Sequence, residues 1–534
     1  MTLAFVRRSL CLLLPLLMPL SSRGEGPPVP DWAQPGSATH AQVAPPSDFH
    51  RKSTILPGAI GAFEGQADVG SAVVPGAASF DAATGKYLVS SAGYNIWYGR
   101  DEFRFLWRKV SGDVSLAATM SFPDAGGYGD RKAVLIIRKS LDDDSPEVLA
   151  GVHGTGSVQL ARRPEAGAEI VDMEYAIGSR GDLPGEKLPN GLVPAKPPRL
   201  GLEKKGDDFQ LLVSVAGEAL HPFGPPMHLH IEGPFYAGIG FCSHLPDKVD
   251  RAEFSDVVLQ GRPAITAVSH IAFLAADPAA SERFYVHDLG AAKGEDAENP
   301  KGVRYYFSPR QFVEILPLPA GGKSAPGRLD HVAFTVSDVR AMRDYLAAHQ
   351  WKVPASVSDR FTVEDPEGRH IEFVQLPDKL PAVPDNPLSA HIIHAGFIIQ
   401  DRAKEDSFYR GLLGFRPYWY GGMKDDQASW ISQQLPDGPD WLEYMVVAPG
   451  DKVDRRLAGI LDHLALGVAN VETAYTALWA GDRLSGQQEQ PKIGRDAKWQ
   501  LNLYDPDGTR AELMELHAIG TPCCSPFTAA DPEK

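Results

Sequence analysis

Hydrophobic and polar positions follow two different rhythms along this chain, and the change falls near residue 262. Before it, Phe103, Phe105 and Trp107 interleave with Arg104, Leu106 and Arg108, and the blocks SLAATMSF, KAVLIIR, FQLLVSV and FYAGIGF follow between Gly, Pro and Asp turns. Period-two alternation and short apolar blocks bounded by turn residues predict β-strands. Many such strands without a long amphipathic helix predict an all-β sandwich or jelly roll over 51–262. After it, strand-like and helix-like stretches alternate. SHIAFLAADPAASERFYVHDLG (269–290) reads as strand, turn and helix, and HAGFIIQDRAKEDSFYRGLLG (394–414) repeats it, with Phe408-Tyr409 and Leu413-Gly414 at the offsets of Phe284-Tyr285 and Leu289-Gly290.

A second repeat is interleaved with the first. GRLDHVAFTVSDV (327–339) and GILDHLALGVANV (459–471) share Gly, Leu, Asp, His, Ala and two Val, and each is expected to open on a strand centred on its histidine. Each is followed by a helical stretch, VRAMRDYLAAH or VETAYTALWA, and then by a charged turn and strand, DPEGRHIEFVQLP or DPDGTRAELMELH. Extended segments such as QFVEILPL and WLEYMVV complete the earlier units. Self-similarity of this kind signals duplicated architecture. Four strand–helix–strands units are expected, opening at His270, His331, His394 and His463 and alternating in type.

Length and the ends of the chain refine this picture. A chain of 534 residues predicts about three or four domains. Residues 1–24 combine Arg7 and Arg8, a leucine-rich stretch broken by Pro15 and Pro19, and a small-residue exit. That is the grammar of a secretory signal peptide, with a twin-arginine signal as the variant that exports a folded protein. The apolar run is too short to span a bilayer. The mature protein is therefore expected in the periplasm or outside the cell, with no transmembrane segment. Residues 25–50, rich in Pro, Ala and Ser, read as a linker, and 519–534 as a C-terminal tail. Net charge of −16 argues against nucleic acid, which needs clustered Lys and Arg. Three cysteines follow the leader, Cys242, Cys523 and Cys524. Neighbouring cysteines bridge each other only with strain, so a bridge to Cys242 or an exposed tail is expected, and a soft-metal or redox site is the alternative.

The βαβββ units opening on H-x-x-F and L-D-H and closing on D-P-[ED]-G-x-x-x-E resemble the vicinal oxygen chelate superfamily, which includes glyoxalase I, the extradiol dioxygenases and the bleomycin-resistance proteins. The resemblance implies two tandem α+β domains, over 264–380 and 388–518, each an incomplete barrel around a divalent metal. Carried over position by position, it implies His270, Glu314, His331 and Glu372 as ligands in the first and His394, Glu443, His463 and Glu512 in the second. Glu372 and Glu512 both fall four residues after the glycine of the D-P-x-G turn. The chemistry agrees: two imidazoles and one or two carboxylates suit Fe, Mn, Ni or Zn, and alternating strand side chains can bring one ligand per strand to a shared wall. Asp330 and Asp462 would face the other way. His228 and His230 could chelate but lack a third ligand, so a structural role is expected for them. His287, His349, His370, His391 and His517 fall outside the ligand pattern.

The family chelates a small substrate through vicinal oxygens, with the metal as Lewis acid. Three protein ligands leave room for substrate and O₂, as in ring-cleaving oxygenases. Four favour glyoxalase-like proton transfer, with Glu314 and Glu443 as the catalytic carboxylates. Export away from cytosolic thiol adducts and the tandem pairing of units weigh on the dioxygenase side. The expected function is an exported metal-dependent enzyme, a lyase or isomerase or an extradiol-type dioxygenase. The alternative is a non-catalytic envelope protein binding a small molecule or carbohydrate. The region 51–262 also resembles concanavalin-like jelly-roll modules of exported TolB-type proteins, which makes carbohydrate a candidate ligand for Trp97, Tyr98 and Trp107, although a Phe103, Phe105, Trp107 stripe is what a sandwich buries.

Overall fold

The computed structural model describes residues 50–532 apart from 57, 125, 177–182, 185–197, 215, 216, 320–326, 387 and 485–489. The expected leader and nearly all of the expected linker lie outside the described residues. No described helix is long and apolar enough to cross a membrane.

The N-terminal region is built around one long strand, Phe103–Ser121. Its first half pairs antiparallel with Gly65–Val69 and Phe235–Cys242, and its second half with Arg199–Lys205 and Asp250–Pro263. The alternation at 103–108 does form a strand, but both of its faces are buried. Phe103 and Phe105 join one core with Val134 and Ile136, while Leu106 and Val110 join a larger one with Leu135 and Ile239. Arg104 is buried between them because Asp68 pairs with its guanidinium at 3.2 Å. Such pairing is what makes a buried charge tolerable. Two of the three aromatics considered for sugar stacking are taken up by packing. Trp107 lies edge-on to Tyr236 at 5.0 Å, and the Trp97 ring is covered by the Lys132 ammonium at 4.6 Å. His228 and His230 sit exposed, each beside one aspartate, Asp208 and Asp207 respectively.

Beyond Pro263 the chain forms two further sheets of the same internal order. In the first, Gln311–Pro317, Ile265–Ala275, Leu329–Val336 and His370–Val374 lie side by side. The middle pair is antiparallel, and each outer strand runs parallel to its neighbour. In the second, Trp441–Val446, Ile392–Ile399, His463–Val468 and Arg510–Glu515 repeat that order and those directions. The repeated sequence also repeats its caps. Asp338 and Asn470 each accept a backbone N–H in the first turn of the helices Val339–Ala348 and Val471–Ala480, the side-chain capping expected of Asp and Asn.

The two sheets are interlocked, sharing one continuous core in which Phe334 meets Phe415 and Trp351 stacks on Phe408. The repeated Phe-Tyr and D-P-x-G elements meet across them: Tyr285 Oη donates to Asp505 at 3.3 Å, and Tyr409 Oη donates to Asp365 at 3.1 Å. Each tyrosine thus reaches the turn of the other sheet rather than its own. The Phe-Tyr segments are also more than plain α-helix. Pro278–Glu282 and Arg402–Asp406 are single α-helical turns that widen into π-helical turns over Arg283–Asp288 and Ser407–Leu412.

One expected strand start is corrected. In the first copy Leu329 and Asp330 lie in the strand, but in the second Arg455–Leu461 is helical, Asp462 caps it, and the strand begins at His463. Gly459 lets that helix abut the D-P-D-G turn, since a Cβ there would lie 2.3 Å from the Gly508 carbonyl oxygen.

The expected bridge to Cys242 is also corrected. Cys523 and Cys524 are bonded to each other, and Cys242 is a buried free thiol. Cys242 pairs across strands with Lys132 in the N-terminal sheet. The 519–532 segment instead lies along the second sheet's edge, where Tyr420 N donates to Ser525 Oγ and Thr528 N to the Tyr418 carbonyl. The free thiol and the Cys523–Cys524 bridge therefore belong to different sheets.

Candidate metal centres

Each of the two later sheets presents one candidate ligand from each of its four central strands. In the first, His270 and Glu372 flank Ala333 in the strand register, and Glu314 and His331 flank Ala272, forming two adjacent rows. In the second, Ala465 separates His394 from Glu512, and Gly396 separates Glu443 from His463. Small residues at the middle of each row leave space between the ligands. At Gly396 this is strict, because a Cβ would lie 1.9 Å from Cε1 of His463.

The structure brings all eight expected residues together as two sets of four. His270 Nε2 and His331 Nε2 face each other at 3.0 Å, with Glu372 3.3 Å from His270 and Glu314 3.5 Å from His331. In the second set the facing imidazoles are 3.1 Å apart, Glu443 is 3.3 Å from His463, and Glu512 is 3.7 Å from His394 and 3.9 Å from His463. His270, Glu314, Glu372, His394, His463 and Glu512 are all buried. Two imidazoles with converging Nε2 atoms and flanking carboxylates form a donor set for a divalent transition metal.

Surrounding groups prepare those atoms. His331 Nδ1 pairs with Asp330 at 2.9 Å, and His463 Nδ1 with the Leu461 carbonyl at 2.8 Å. A Nδ1–H given to an acceptor leaves the Nε2 lone pair free, as metal-binding histidines require. Asp330, expected to face away, is not itself in the set, but it orients one member. Asp462 instead accepts the Ile398 N–H at 3.1 Å. Glu372 Oε2 is buried and makes no hydrogen bond among the described residues, which suits an oxygen kept for a cation.

Burial governs the electrostatics. It pushes His270 down to about 4 and holds His394 and His463 well below the usual imidazole range, so all three are neutral donors near pH 7. It opposes charge on His331 too, but the Asp330 hydrogen bond and the nearby Glu372 and Glu314 outweigh it and raise that group. Burial pushes Glu314 up to about 8, with Asp296 adding to the effect, and Glu443 up to about 7 against the pull of Arg510. Glu372 behaves oppositely: burial disfavours its charge, but His270 and Arg360 hold it below the usual carboxylate range.

The walls of the two sites contain groups that no sequence motif singles out. Phe312 stacks on His270 at 4.4 Å and Trp441 lies against His394 at 4.7 Å. Around the first set stand Arg304, 3.9 Å from Glu314, and Arg360, 3.7 Å from Glu372. By register, Ser432 and Gln500 hold the corresponding places in the second sheet, and Arg510 stands where the first has His370. These residues come from strands of irregular composition, so no local signal marks them.

Comparison with known proteins bears on the first of these sheets. Residues 267–373 match the family model described as the Glyoxalase/Bleomycin resistance protein/Dioxygenase superfamily. No curated protein matches. Solved structures similar to this chain include 2,2',3-trihydroxybiphenyl 1,2-dioxygenase from dibenzofuran-degrading Sphingomonas wittichii, at 17% identity over 51% of this chain and 100% of that one, with a TM-score of 0.37. Homoprotocatechuate 2,3-dioxygenase from Brevibacterium fuscum, in complex with 3,4-dihydroxyphenylacetate, is similar at 17% identity over 50% of this chain and 85% of that one, with a TM-score of 0.36. The segment that matches this superfamily's model is the one that carries His270, Glu314, His331 and Glu372.

Proposed function

We propose that this protein is an exported metal-dependent enzyme in which each of the two later sheets forms a vicinal oxygen chelate site, and that its chemistry is proton transfer on a small substrate bearing neighbouring oxygens. The observation that carries this reading is the convergence of four ligands, two His and two Glu, in both sheets from corresponding strands. His270, His331, Glu314 and Glu372 would hold one divalent metal, and His394, His463, Glu443 and Glu512 a second. The metal would supply Lewis-acid stabilisation of negative charge on a chelated substrate oxygen. Glu314 and Glu443, 3.5 Å from His331 and 3.3 Å from His463, are the carboxylates placed to take a proton from the carbon beside that oxygen and return it to the neighbouring atom. Export is supported by the composition of residues 1–24 alone.

A second reading, ring-cleaving oxygenation, has one observation in its favour. Ligand atoms of His270, Glu314 and His331 in one sheet, and of His394, His463 and Glu512 in the other, all lie within 4.8 Å of one another, each group two imidazoles and one carboxylate. That set leaves more open metal positions.

Elemental analysis of mature protein purified anaerobically without chelator tests both readings. Two metal ions per chain, falling by one in His331→Ala and by one in His463→Ala, is the expected result. Nickel or zinc accompanies the proton-transfer reading, and iron with O₂ uptake the oxygenase. Failure to bind metal even after refilling would sink the enzyme reading.

A further inference from the structure

The loop that follows the Ala292–Glu295 strand reaches the first ligand set, where Asn299 Nδ2 donates to Glu314 at 3.4 Å. Its Glu298 carboxylate bridges two guanidinium groups: one oxygen pairs with Arg304 and the other lies 3.1 Å from Arg360. Neither arginine is remote from the set, since each also approaches one ligand carboxylate, Glu314 or Glu372. Two further groups hold Arg304 in place. Asp296 pairs with it at 3.1 Å, the Phe312 ring lies 4.7 Å from its guanidinium carbon, and Phe312 in turn stacks on His270. Its side chain is only 9% exposed, yet Arg304 Nε makes no hydrogen bond among the described residues. Arg360 Nε likewise makes none, although Asp359 lies 3.6 Å from it. Glu298, by contrast, is exposed on a loop.

We infer that Glu298 is a built-in stand-in for a substrate carboxylate, and that Arg304 and Arg360 form the clamp that selects, for the first site, a chelating substrate carrying such a group. Arg304 keeps Asp296 when Glu298 leaves, but Arg360 would then have no anion closer than Asp359 and Glu372, 3.6 and 3.7 Å away, and the planar fork of Arg is shaped to take a carboxylate. That a carboxylate fits between these two guanidinium groups is demonstrated by Glu298 itself. This pair is particular to the first site, because Ser432 and Gln500 hold the corresponding places in the second. The inference rests on the metal-site reading above, since it assigns the clamp to a ligand held at the same time by the metal.

The test compares two probes that chelate through the same pair of neighbouring oxygens and differ by one carboxylate, catechol and 3,4-dihydroxybenzoate. Their dissociation constants are measured by calorimetry on zinc-loaded full-length mature protein carrying His463→Ala, which leaves the first site alone to report. The expected result is a preference of about tenfold or more for the carboxylate probe, the worth of a charge-assisted pair. Arg360→Gln should abolish most of that preference with catechol affinity unchanged. Glu298→Gln, which removes the internal competitor without removing either arginine, should tighten the carboxylate probe alone, and it remains informative if the buried Arg304→Gln fails to fold. Equal affinity for the two probes, or a preference untouched by Arg360→Gln and Glu298→Gln, overturns the clamp while leaving the metal site standing. Binding of neither probe to protein shown to contain zinc, or failure to load zinc, overturns the metal-site reading and the clamp with it.

Discussion

Asp330 offers the most direct measure of how the first site is tuned. Its carboxylate accepts from His331 Nδ1 at 2.9 Å, and its side chain is 31% exposed. Replacing an outer partner of a metal-binding histidine costs about 10- to 100-fold in metal affinity, or about 1.4 kcal/mol per tenfold step. Asp330→Asn keeps an acceptor in place and loses only the charge, whose effect partial exposure already weakens. The low end, about tenfold, is therefore expected. Asp330→Ala also frees the imidazole to rotate and change tautomer, so the high end, about 100-fold, is expected. The second site supplies the control, since His463 is oriented by the neutral Leu461 carbonyl and has no corresponding carboxylate. Competition against a fluorescent zinc chelator reads both variants in a His463→Ala background. Repeating it in a His331→Ala background should show no effect of Asp330. Zinc affinities within twofold of the parent for both Asp330 variants, with unaltered melting of the metal-free protein, would refute the claim that this contact prepares His331 as a ligand.

Three further outcomes are expected. Tyr285→Phe and Tyr409→Phe each remove a buried hydrogen bond to a carboxylate of the opposite sheet, and each should lower unfolding free energy in urea by about 1.5–3 kcal/mol; values near zero would mean that the tyrosines are held by packing alone. Asp437 takes a 2.7 Å ion pair from Arg262 and a 2.8 Å hydrogen bond from Ile265 N, so Asp437→Ala strands a buried guanidinium and should cost about 3 kcal/mol or more in the same assay. The third concerns pH. His270, His394 and His463 have lowered pKa values, so their share of stability grows with pH but is complete by about 6.5, the ordinary histidine value. Glu314 and Glu443, raised to about 8 and about 7, bind more protons folded than unfolded from their ordinary range upward, so their share falls as pH rises through those values. His331, also raised, adds to the fall. Between pH 6.5 and 8 metal-free protein should therefore lose stability. Bound metal, which takes up the charge of Glu314 and Glu443, should remove their share of that loss, while the share of Glu64, Glu147 and Glu405, raised to about 7 or 8 by burial elsewhere, should persist in both forms; parallel melting curves for loaded and metal-free protein across the window would contradict the assignment.

Much of this molecule is legible in local signals of the chain. Strand alternation at 103–108, the caps Asp338 and Asn470, the D-P-x-G turns, and His or Glu at corresponding positions of four repeating units are properties of short stretches, set by the two-residue period of strands and by the hydrogen-bonding habits of Asp, Asn and Gly. The same locality explains the errors. Leu461 and Leu329 occupy equivalent places in matching sequences, yet one ends a helix and the other begins a strand, because the backbone at Gly459 packs on a turn contributed by residue 508. Arg104 reads as a solvent-facing strand residue and is buried because Asp68 comes from another strand.

Tertiary structure decided everything that depends on which strands become neighbours. Strand pairing sets Glu314 opposite Ala272 and so beside His331, and Glu372 opposite Ala333 and so beside His270, and it leaves no trace in any one strand alone. The crossing of Tyr285 to Asp505, 220 residues along the chain, and the bridge from Glu298 to Arg304 and Arg360 are likewise set by the closing of sheets on one another. A sequence carries the type and period of each element, since these depend on residues a few positions apart. The electrostatic surroundings of a site are assembled from distant segments, and folding alone brings those charges within a few ångströms.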